Sequence, residues 1–519
     1  NYLCKMTSPG KSFGLEYTDP VEISSIISGL KASDARDIYD LTINTVKYMK
    51  DWLSPILAHL FNKCIEEANF HDKLKIAKIR YIYKKGDINN CLNYRPVSVL
   101  PALSKIFEIL LYRRLASFFD NHNLLVDSQF GFRKGRSTTM ALLKLESEIL
   151  TALDEKKLAC ASFLDLSKAF DSIDHQLVLK KLEFYGIRGL PHDLIKSYFT
   201  SRYQCVEEKR EKSQLAKIEC GVPQGSVLGP LFFIMFINDL PMGITAQSHI
   251  LFADDTTLVN CASDMDNLKL MQKNSMCSAK QWFDDNRLVM NAEKTTSLTF
   301  SLKIDNLIGE LNKIKSLGVV IDNRLLWTGH IDYLAGRLSS VVYQIRKLLD
   351  YCDLETALVF YRGNFESLLR YSILVWGNST SAVRIFLIQK KAVRALLKKS
   401  KFQSCRELFK KLKLLPLACL FILESVVFAK INETKFKRNL NYHSYDTRNK
   451  DNFVIPYHRI KKAQQSAQYT SAILFNALPK KVKEKPLPLF KSTVRNILEG
   501  NCFYTVDEFL VAKLATINV

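Results

Sequence analysis

Apolar residues recur at helical spacing near the start of the chain, first as Ile23, Ile26, Ile27 and Leu30 and then as Leu53, Ile56, Leu57, Leu60 and Phe61. Spacings of three and four line one face of a helix, so residues 21–70 are expected to form a helical lead-in. The period changes to two from Ile76 to Tyr83, and a second extended run follows at Tyr94-Arg95-Pro96-Val97-Ser98-Val99-Leu100. Lys84-Lys85-Gly86-Asp87 between them reads as a turn, which predicts a basic hairpin. A helix near 102–122 comes next, then the stretch Phe130-Gly131-Phe132-Arg133-Lys134-Gly135-Arg136-Ser137, then another helix from Thr138.

From residue 160 the order becomes buried strand, helix, hairpin, helix, hairpin. The segments are 160–164, 174–185, strands around 204–220, 226–238, and a doubled apolar strand interrupted by acids. Such an α+β order suits an antiparallel sheet backed by helices. After Gly318 the pattern is mostly helical and basic, and no repeat of fixed period or low-complexity linker divides the chain.

Composition narrows the class. At 519 residues with 47% hydrophobic side chains, the chain has enough apolar material for more than one core. Wholesale disorder and fibrous classes are excluded. The longest apolar runs, 230–237 and 416–429, the second interrupted by Glu424, fall short of the roughly 18–20 residues of a bilayer span, so no membrane partner is expected. No export signal is visible, and the opening at Asn1 reads as a fragment of a longer frame. The 12 cysteines contain no CxxC pair and no zinc spacing, which fits free thiols in a reducing compartment. Net charge is +22, and it is unevenly placed: residues 321–519 carry 33 basic and 15 acidic side chains, net +18, which leaves +4 for residues 1–320. Polyanions are the natural partners of such a field.

The most informative segment is Ile250-Leu251-Phe252-Ala253-Asp254-Asp255-Thr256-Thr257-Leu258-Val259, adjacent carboxylates between strand-like apolar runs. A hairpin with both acids at its tip is expected. Like charges held beside a core need a compensating cation or proton, and a divalent metal serves; an ordinary polar turn is the plainer alternative. Phe163-Leu164-Asp165-Leu166-Ser167-Lys168-Ala169-Phe170-Asp171 sets another carboxylate at the end of a buried strand, where it would bind metal with the pair or cap a helix. Gly221-Val222-Pro223-Gln224-Gly225-Ser226-Val227-Leu228-Gly229-Pro230 opens onto an apolar helix, and its glycines would let backbone approach a flat ligand; a loop before a core helix is the alternative.

In order and spacing these segments resemble the blocks of reverse transcriptases, and specifically those of jockey-like non-LTR (LINE-type) retrotransposons. The resemblance covers roughly residues 20–500. It rests on Asn93-Tyr94-Arg95-Pro96-Val97-Ser98, the Gln129–Thr139 block, the Asp165 block, Gly-Val-Pro-Gln-Gly, Phe-Ala-Asp-Asp, Leu288-Val289-Met290-Asn291-Ala292-Glu293-Lys294-Thr295, and Leu317-Gly318-Val319-Val320-Ile321-Asp322 followed by Trp327 and His330.

The resemblance implies an RNA-directed DNA polymerase acting on an RNA template, a DNA primer and dNTPs. Asp165 and Asp254 would be the main ligands of two Mg²⁺ ions, with Mn²⁺ as an alternative metal, Asp255 an auxiliary ligand and the Leu166 carbonyl a further oxygen. Phe170 would exclude a 2′-hydroxyl, or be only a core aromatic. Gln224 and Gly225 would contact the nucleotide, and Arg95 with Lys84 or Lys85 would grip triphosphate or template; a solvated hairpin is the alternative for the lysines. Lys294 matches a lysine that protonates departing pyrophosphate, or is ordinary surface charge. Arg384, Lys390, Lys391, Arg394, Lys398, Lys399 and Lys401 would follow the nucleic-acid backbone, or form a solvated face. His443, Tyr445, Thr447, Arg448, Pro456, Tyr469, Asn476 and Pro479 resemble the family's C-terminal region, whose aromatic and basic mixture suits RNA.

The implied architecture is a right-hand polymerase of α+β class with an antiparallel palm sheet. Its parts would be a lead-in (1–75), fingers (76–159), a palm (160–315) that allows a fingers insertion, a primer-grip-like hairpin (316–335), a basic helical thumb (336–430) and a C-terminal extension (431–519). Departures are Arg80-Tyr81-Ile82-Tyr83, where relatives often carry Pro-Ile or Pro-Val, and a length that leaves no room for the family's endonuclease domain. Synthesis in the cytoplasm and action in the nucleus, without secretion, are expected. A noncatalytic RNA-binding remnant is the alternative function; a group II intron maturase and a telomerase are weaker matches.

Overall fold

The described residues form eleven strands and a larger helical complement: β1 (Ile76–Tyr83), β2 (Tyr94–Val99), β3 (Leu158–Leu164), β4 (Arg202–Glu208), β5 (Glu211–Lys212), β6 (Ala216–Ile218), β7 (Ser248–Phe252), β8 (Asp255–Ala262), β9 (Thr296–Phe300), β10 (Lys313–Ser316) and β11 (Val319–Asp322). The structure is a computed structural model that describes residues 2–6, 10–208, 211–303, 312–439 and 450–512, without the side chain of Leu92. His443, Tyr445, Thr447 and Arg448 lie outside the described residues. The strands form a sheet of order β2-β1-β4-β5 with β6 on β4, a sheet of order β7-β8-β3-β9, and the β10-β11 hairpin.

The N-terminal region is helical over Pro20–Gly29, Ile43–Tyr48 and Lys50–Glu66, but the expected continuous helical run is broken between Leu30 and Leu41. Asp37 explains the break. Its carboxylate accepts from the backbone N–H groups of Tyr39 (2.9 Å) and Leu41 (3.0 Å) and from Ala102 N (2.8 Å), so the side chain competes with helix for local donors. Asp40 then takes a φ of 60°, which ends any helical continuation.

The basic hairpin forms as read, with β1 and β2 antiparallel in the register Ile82↔Arg95 and Tyr83↔Tyr94. Its connection is longer than the expected four-residue turn: Lys84 N bonds Asn93 O at 2.8 Å, and Cys91–Asn93 adds a 3₁₀ turn. The alternation of strand side chains sets Arg80, Ile82 and Arg95 on one face and Tyr81, Tyr83 and Tyr94 on the other, where the rings meet edge-on at 5.5 Å. A purely antiparallel sheet is not what this region makes, because β1 pairs in parallel with β4.

Two compact units divide the chain: Asn1–Arg136 with Phe163–Leu258 and Met271–Thr296, and Ser137–Ser162 with Val259–Leu270 and Ser297–Val519. In the first, the helix Leu228–Phe236 is apolar all round and correspondingly buried. Phe61, Phe70 and Phe107 stack at 4.6 and 5.1 Å in the same core. An ionisable group is buried with them: Glu108 accepts from the N–H groups of Val227 (2.6 Å) and Leu228 (3.4 Å) and from the Tyr198 hydroxyl (3.3 Å), and burial raises its pKa while the field of wholly buried Arg202 and these bonds oppose. A carboxylate from a distant helix thus serves the donors at the start of Leu228–Phe236, where the helix dipole favours negative charge.

The second unit is built mainly of helices, including Thr328–Leu348, Leu354–Tyr361, Val383–Leu396, Leu417–Ile431, Ala467–Asn476 and Leu487–Asn501. Within 316–335, only the β10-β11 hairpin and its exit are extended; Trp327, at a φ of 63°, precedes the helix that starts at Thr328. His330 is buried against Trp376, and burial followed by Lys315 pushes its pKa down to about 4, so it behaves as a neutral core residue. Among the described residues no single helix is long and apolar enough to cross a membrane; Arg406–Leu412 and Leu417–Ile431 reach that length only together, bent by 56°.

Removing Glu108 takes the acceptor from the N–H donors of a core helix and an opposite charge from the field of buried Arg202. Glu108→Ala is expected to cost about 3 kcal/mol of stability and Glu108→Gln less, measurable as a shift in urea midpoint.

Candidate active site

β3 is buried along its whole length, as its apolar run predicts, and it delivers Asp165 immediately after Leu164. The backbone there is clamped from the other side. Leu166 bridges Met290 in antiparallel fashion, Ser167 N donates to Val289 O at 2.9 Å, and Asn291 N donates to Asp165 O at 2.8 Å. Asn291 then turns the chain back, its Oδ1 accepting from Lys294 N at 3.2 Å and its carbonyl from Thr295 N at 3.0 Å. The turn carries Lys294 onto Asp165, with Nζ 3.0 Å from Oδ2. Asp165 is therefore not a helix cap; Asp174 caps the next helix, accepting from Leu177 N at 2.9 Å.

β7 and β8 form the expected acidic hairpin, although only Asp254 lies in the turn and Asp255 already begins β8. Ala253 precedes them at a φ of 55°, a left-handed conformation that costs a residue with a Cβ about 1–2 kcal/mol. A neighbouring segment holds it there. Gln129 Oε1 accepts from Gly131 N at 2.7 Å and from Ala253 N at 3.2 Å, and Phe130 N donates to Leu251 O at 2.7 Å. A Cβ on Gly131 would lie 2.4 Å from Ala253 N, so only glycine lets the two backbones come this close.

These strand ends bring Asp165, Asp254 and Asp255 into one electrostatic neighbourhood. Partial burial raises the Asp254 carboxyl above the usual range and the charge of Asp165 adds to it, while its own backbone N–H, Arg95 and Lys84 oppose. Burial, then Asp254 and Asp165, pushes Asp255 up to about 6. Clustered hard oxygens that resist ionisation together are a donor set suited to a divalent cation. Among the described residues no group of three or more His, Cys, Asp or Glu side chains forms a preformed metal cage. Magnesium sites seldom use such a cage, since one or two carboxylates are completed by water and substrate phosphates.

The Gly-Val-Pro-Gln-Gly loop lies against the same segment. Gly221 (φ 80°) and Gly225 (φ 128°) approach the backbone of Asp171 and the carbonyl of Ser98, which an added Cβ would meet at 2.6 Å in each case. The close approach is thus backbone on backbone, where a flat ligand was expected. Ser98 N donates to Gln224 O at 2.8 Å, and the Gln224 carboxamide reaches the Asp171 carboxylate. Phe170 sits in the 3₁₀ turn Ala169–Asp171 and not on an amphipathic helix; it is half-buried, stacked on Phe233 at 4.7 Å with Phe132 edge-on at 6.2 Å.

Lys84, Lys85 and Arg95 are exposed on the hairpin. The fields of Lys84 and Arg95 reach Asp254, whereas Lys85 contributes nothing resolved there. In the second unit, Lys391, Arg394, Lys398, Lys399 and Lys401 line a cavity of about 410 Å³ with Arg346 and Asp350. Arg384 pairs with Asp332, and Lys390 lies over the Phe386 and Tyr504 rings at 4.4 Å, so these two are engaged within the protein. Residue reading gave no role to Gln129, Asp171 or Asn291. Each lies inside a quoted block, but its partner is far away in sequence.

Residues 82–321 match the family model described as "Reverse transcriptase (RNA-dependent DNA polymerase)". Among curated relatives, the chain is 28% identical to the probable RNA-directed DNA polymerase from transposon BS of Drosophila melanogaster, over 73% of this chain and 44% of that protein. It is also 28% identical to the RNA-directed DNA polymerase from mobile element jockey of Drosophila melanogaster, over 72% of this chain and 43% of that protein. The chain thus spans less than half the length of these relatives. A solved telomerase from Candida albicans with a fragment of telomeric RNA aligns over 74% of this chain and 68% of its own at 12% identity and a TM-score of 0.37, a likeness that carries no argument.

In the folded chain Asp255 keeps its proton up to about pH 6, above the ~3.9 of an unfolded aspartate. Folding therefore binds a proton in that window, and stability without metal is greatest below it and declines as pH rises through about 6. Asp255→Asn is expected to flatten the decline, read from urea unfolding at about pH 4.5 and about pH 7.5 in chelator.

Proposed function

We propose that this chain, which carries a reverse transcriptase domain over residues 82–321, is the polymerase part of a jockey-like non-LTR retrotransposon protein. Its reaction is nucleotidyl transfer from a dNTP to a primer 3′-hydroxyl on an RNA template, primed at the target DNA. The observation that carries the reading is the meeting of Asp165, Asp254 and Asp255 at the ends of buried strands, with Lys294 on Asp165 and cationic Arg95 and Lys84 in range of Asp254.

Asp165 and Asp254 are read as the principal ligands of a pair of Mg²⁺ ions, with Asp255 and the Leu166 carbonyl completing the oxygens. When bound, such a pair lowers the pKa of the attacking hydroxyl and neutralises the triphosphate. The protein's own share is positioning and charge. Arg95 on β2 and Lys84 in the hairpin connection attract the polyphosphate, with Lys85 next to Lys84. Phe170 presents an aromatic edge to the sugar and excludes a 2′-hydroxyl, while Gln224 and Gly225 border the nucleotide. Lys294 keeps an ammonium beside the carboxylates, where a proton donor to the departing pyrophosphate is needed.

The basic cavity of the second unit is read as the thumb's grip on backbone phosphate. Lys391, Arg394, Lys398 and Lys399 supply most of its charge, and Arg384 and Lys390, already partnered, contribute less. The palm, fingers, thumb, hairpin and C-terminal ranges given above are kept as the domain reading, with action in the nucleus after cytoplasmic synthesis. The nicking endonuclease is assigned to sequence other than these residues. No observation favours a noncatalytic remnant.

Primer extension on an RNA template with Mg²⁺ tests the function. Wild type is expected to extend the primer, and Asp254→Ala or Asp165→Asn to lose at least about 10³-fold in rate. Absence of metal-dependent synthesis by wild type refutes the reading. For the thumb, Lys398→Ala/Lys399→Ala is expected to weaken template–primer binding without regard to sequence and to lower the slope of log K against log salt by about 2, measured by fluorescence anisotropy.

A further inference from the structure

We infer that the basic cavity of the second unit takes a single strand of nucleic acid, with phosphates inside it and bases stacked on Tyr351 and Phe402 beside it. The inference rests on the reading of that cavity as a grip on backbone phosphate, and it names the form of strand that is held.

Two helix ends build the cavity. Arg346 lies in the last turn of Thr328–Leu348, with Leu349 and Asp350 just beyond it. Lys391, Arg394 and Ala395 lie on Val383–Leu396, with Lys398, Lys399 and Lys401 past its end. Cations there meet the negative end of each helix dipole, which offsets part of their mutual repulsion. Lys399 N donates to Arg394 O at 2.9 Å and Lys398 N to Ala395 O at 3.0 Å, the pair of bonds that closes a helix through a left-handed residue. Glycine ordinarily fills that place, yet here Lys398 does, at a φ of 51°. The strain is accepted where it adds a cation to the cavity wall.

Most of this charge is uncompensated. Among the described residues Arg346, Lys391, Lys398 and Lys399 carry no ion pair and no side-chain hydrogen bond, in contrast to paired Arg384. Asp350, the one lining carboxylate, pairs at 4.0 Å with Lys347, which is not part of the wall. Free cations converging on about 410 Å³ call for several anionic groups brought close together.

The aromatic neighbours decide which form of nucleic acid supplies them. Tyr351 follows Asp350 directly, and Phe402 follows Lys401, whose Nζ lies 4.9 Å from the ring centroid. Both rings stand clear of the core, 87% and 85% exposed. The turn that carries Phe402 is tied back to the helix, Arg394 Nε donating to Gln403 O at 2.9 Å and Gln403 N to Ser400 O at 3.3 Å, so the ring is presented from a folded segment. In a duplex the bases stack on one another, closed to side-chain rings, and the phosphates run along a convex rod. A single strand bends into a concavity and turns its bases out, where tyrosine and phenylalanine stack on any of them. Charge within and rings alongside therefore suit a single strand, RNA or DNA, without regard to sequence.

The test measures binding of the full chain by fluorescence anisotropy to oligouridylate, to oligodeoxythymidylate and to a blunt RNA–DNA duplex. Tyr351→Ala and Phe402→Ala are each expected to weaken single-strand binding about fivefold and to leave the blunt duplex unchanged. Tyr351→Phe and Phe402→Tyr, which keep a ring, should bind as wild type does. Loss with both strands supports the inference for either sugar, and loss with one supports it and identifies the strand. Photocrosslinking of 5-iodouridine in the oligouridylate should attach it to Tyr351 or Phe402, which reads this site apart from a strand held in the catalytic cleft. Equal weakening of single strands and duplex, alanine variants that bind as wild type does, or crosslinks that miss both rings would overturn the inference; loss in Lys398→Ala/Lys399→Ala would still uphold the phosphate grip. If that double variant binds every probe as before, the grip falls and this inference with it. Absence of primer extension by wild type refutes the polymerase reading and leaves the binding results standing.

Discussion

Carboxylates crowded at the ends of buried strands repel one another, and that repulsion is the constraint on which the site is organised. Asp254 and Asp255 both resist ionisation because partial burial withholds water and Asp165 adds its charge. Left alone, such a cluster would open or take up protons. It is kept closed by compensation from several directions: Lys294 on Asp165, and the fields of Arg95 and Lys84 at Asp254. The same demand for positive charge that balances the protein alone is what a divalent cation and its polyphosphate would meet in a working complex.

Geometry is held mostly by backbone against backbone. Gly131 on Ala253, Gly221 on Asp171 and Gly225 on Ser98 all stand closer than a Cβ permits, and each contact joins segments far apart in the chain. Side chains then complete what the backbone begins. Gln129 braces the left-handed Ala253, Asp171 orients Gln224, and Glu108 serves the N–H groups that follow the glycine loop. Chemistry that depends on position within about an ångström needs this kind of redundancy, since a single soft torsion would blur the alignment.

Much of the fold was legible. The period-two runs at 76–83 and 94–99 became β1 and β2, the apolar run before Asp165 became a fully buried β3, and the acid-interrupted run became β7 and β8. Local chemistry failed where a side chain had a backbone partner that periodicity does not reveal. Asp37 broke the helical lead-in, and the hairpin connection after Tyr83 took ten residues because Asn93 and Asp87 bond within it. The parallel pairing of β1 with β4 escaped notice because both strands carry the same alternation whichever direction their neighbour runs.

What the sequence alone determined is the identity of the candidate groups. Adjacent acids between apolar runs, an acid closing another such run, and a glycine-flanked glutamine point to their chemistry because side-chain type and strand period are local properties. Which groups touch was decided only by the tertiary structure. The contacts of Lys294 with Asp165, Gln129 with Ala253, and Asp171 with Gln224 each close a loop of 50 residues or more, spanning 129, 124 and 53 positions. No local pattern encodes such pairs; they exist because burial of the intervening helices and strands brings distant backbone to the same few ångströms.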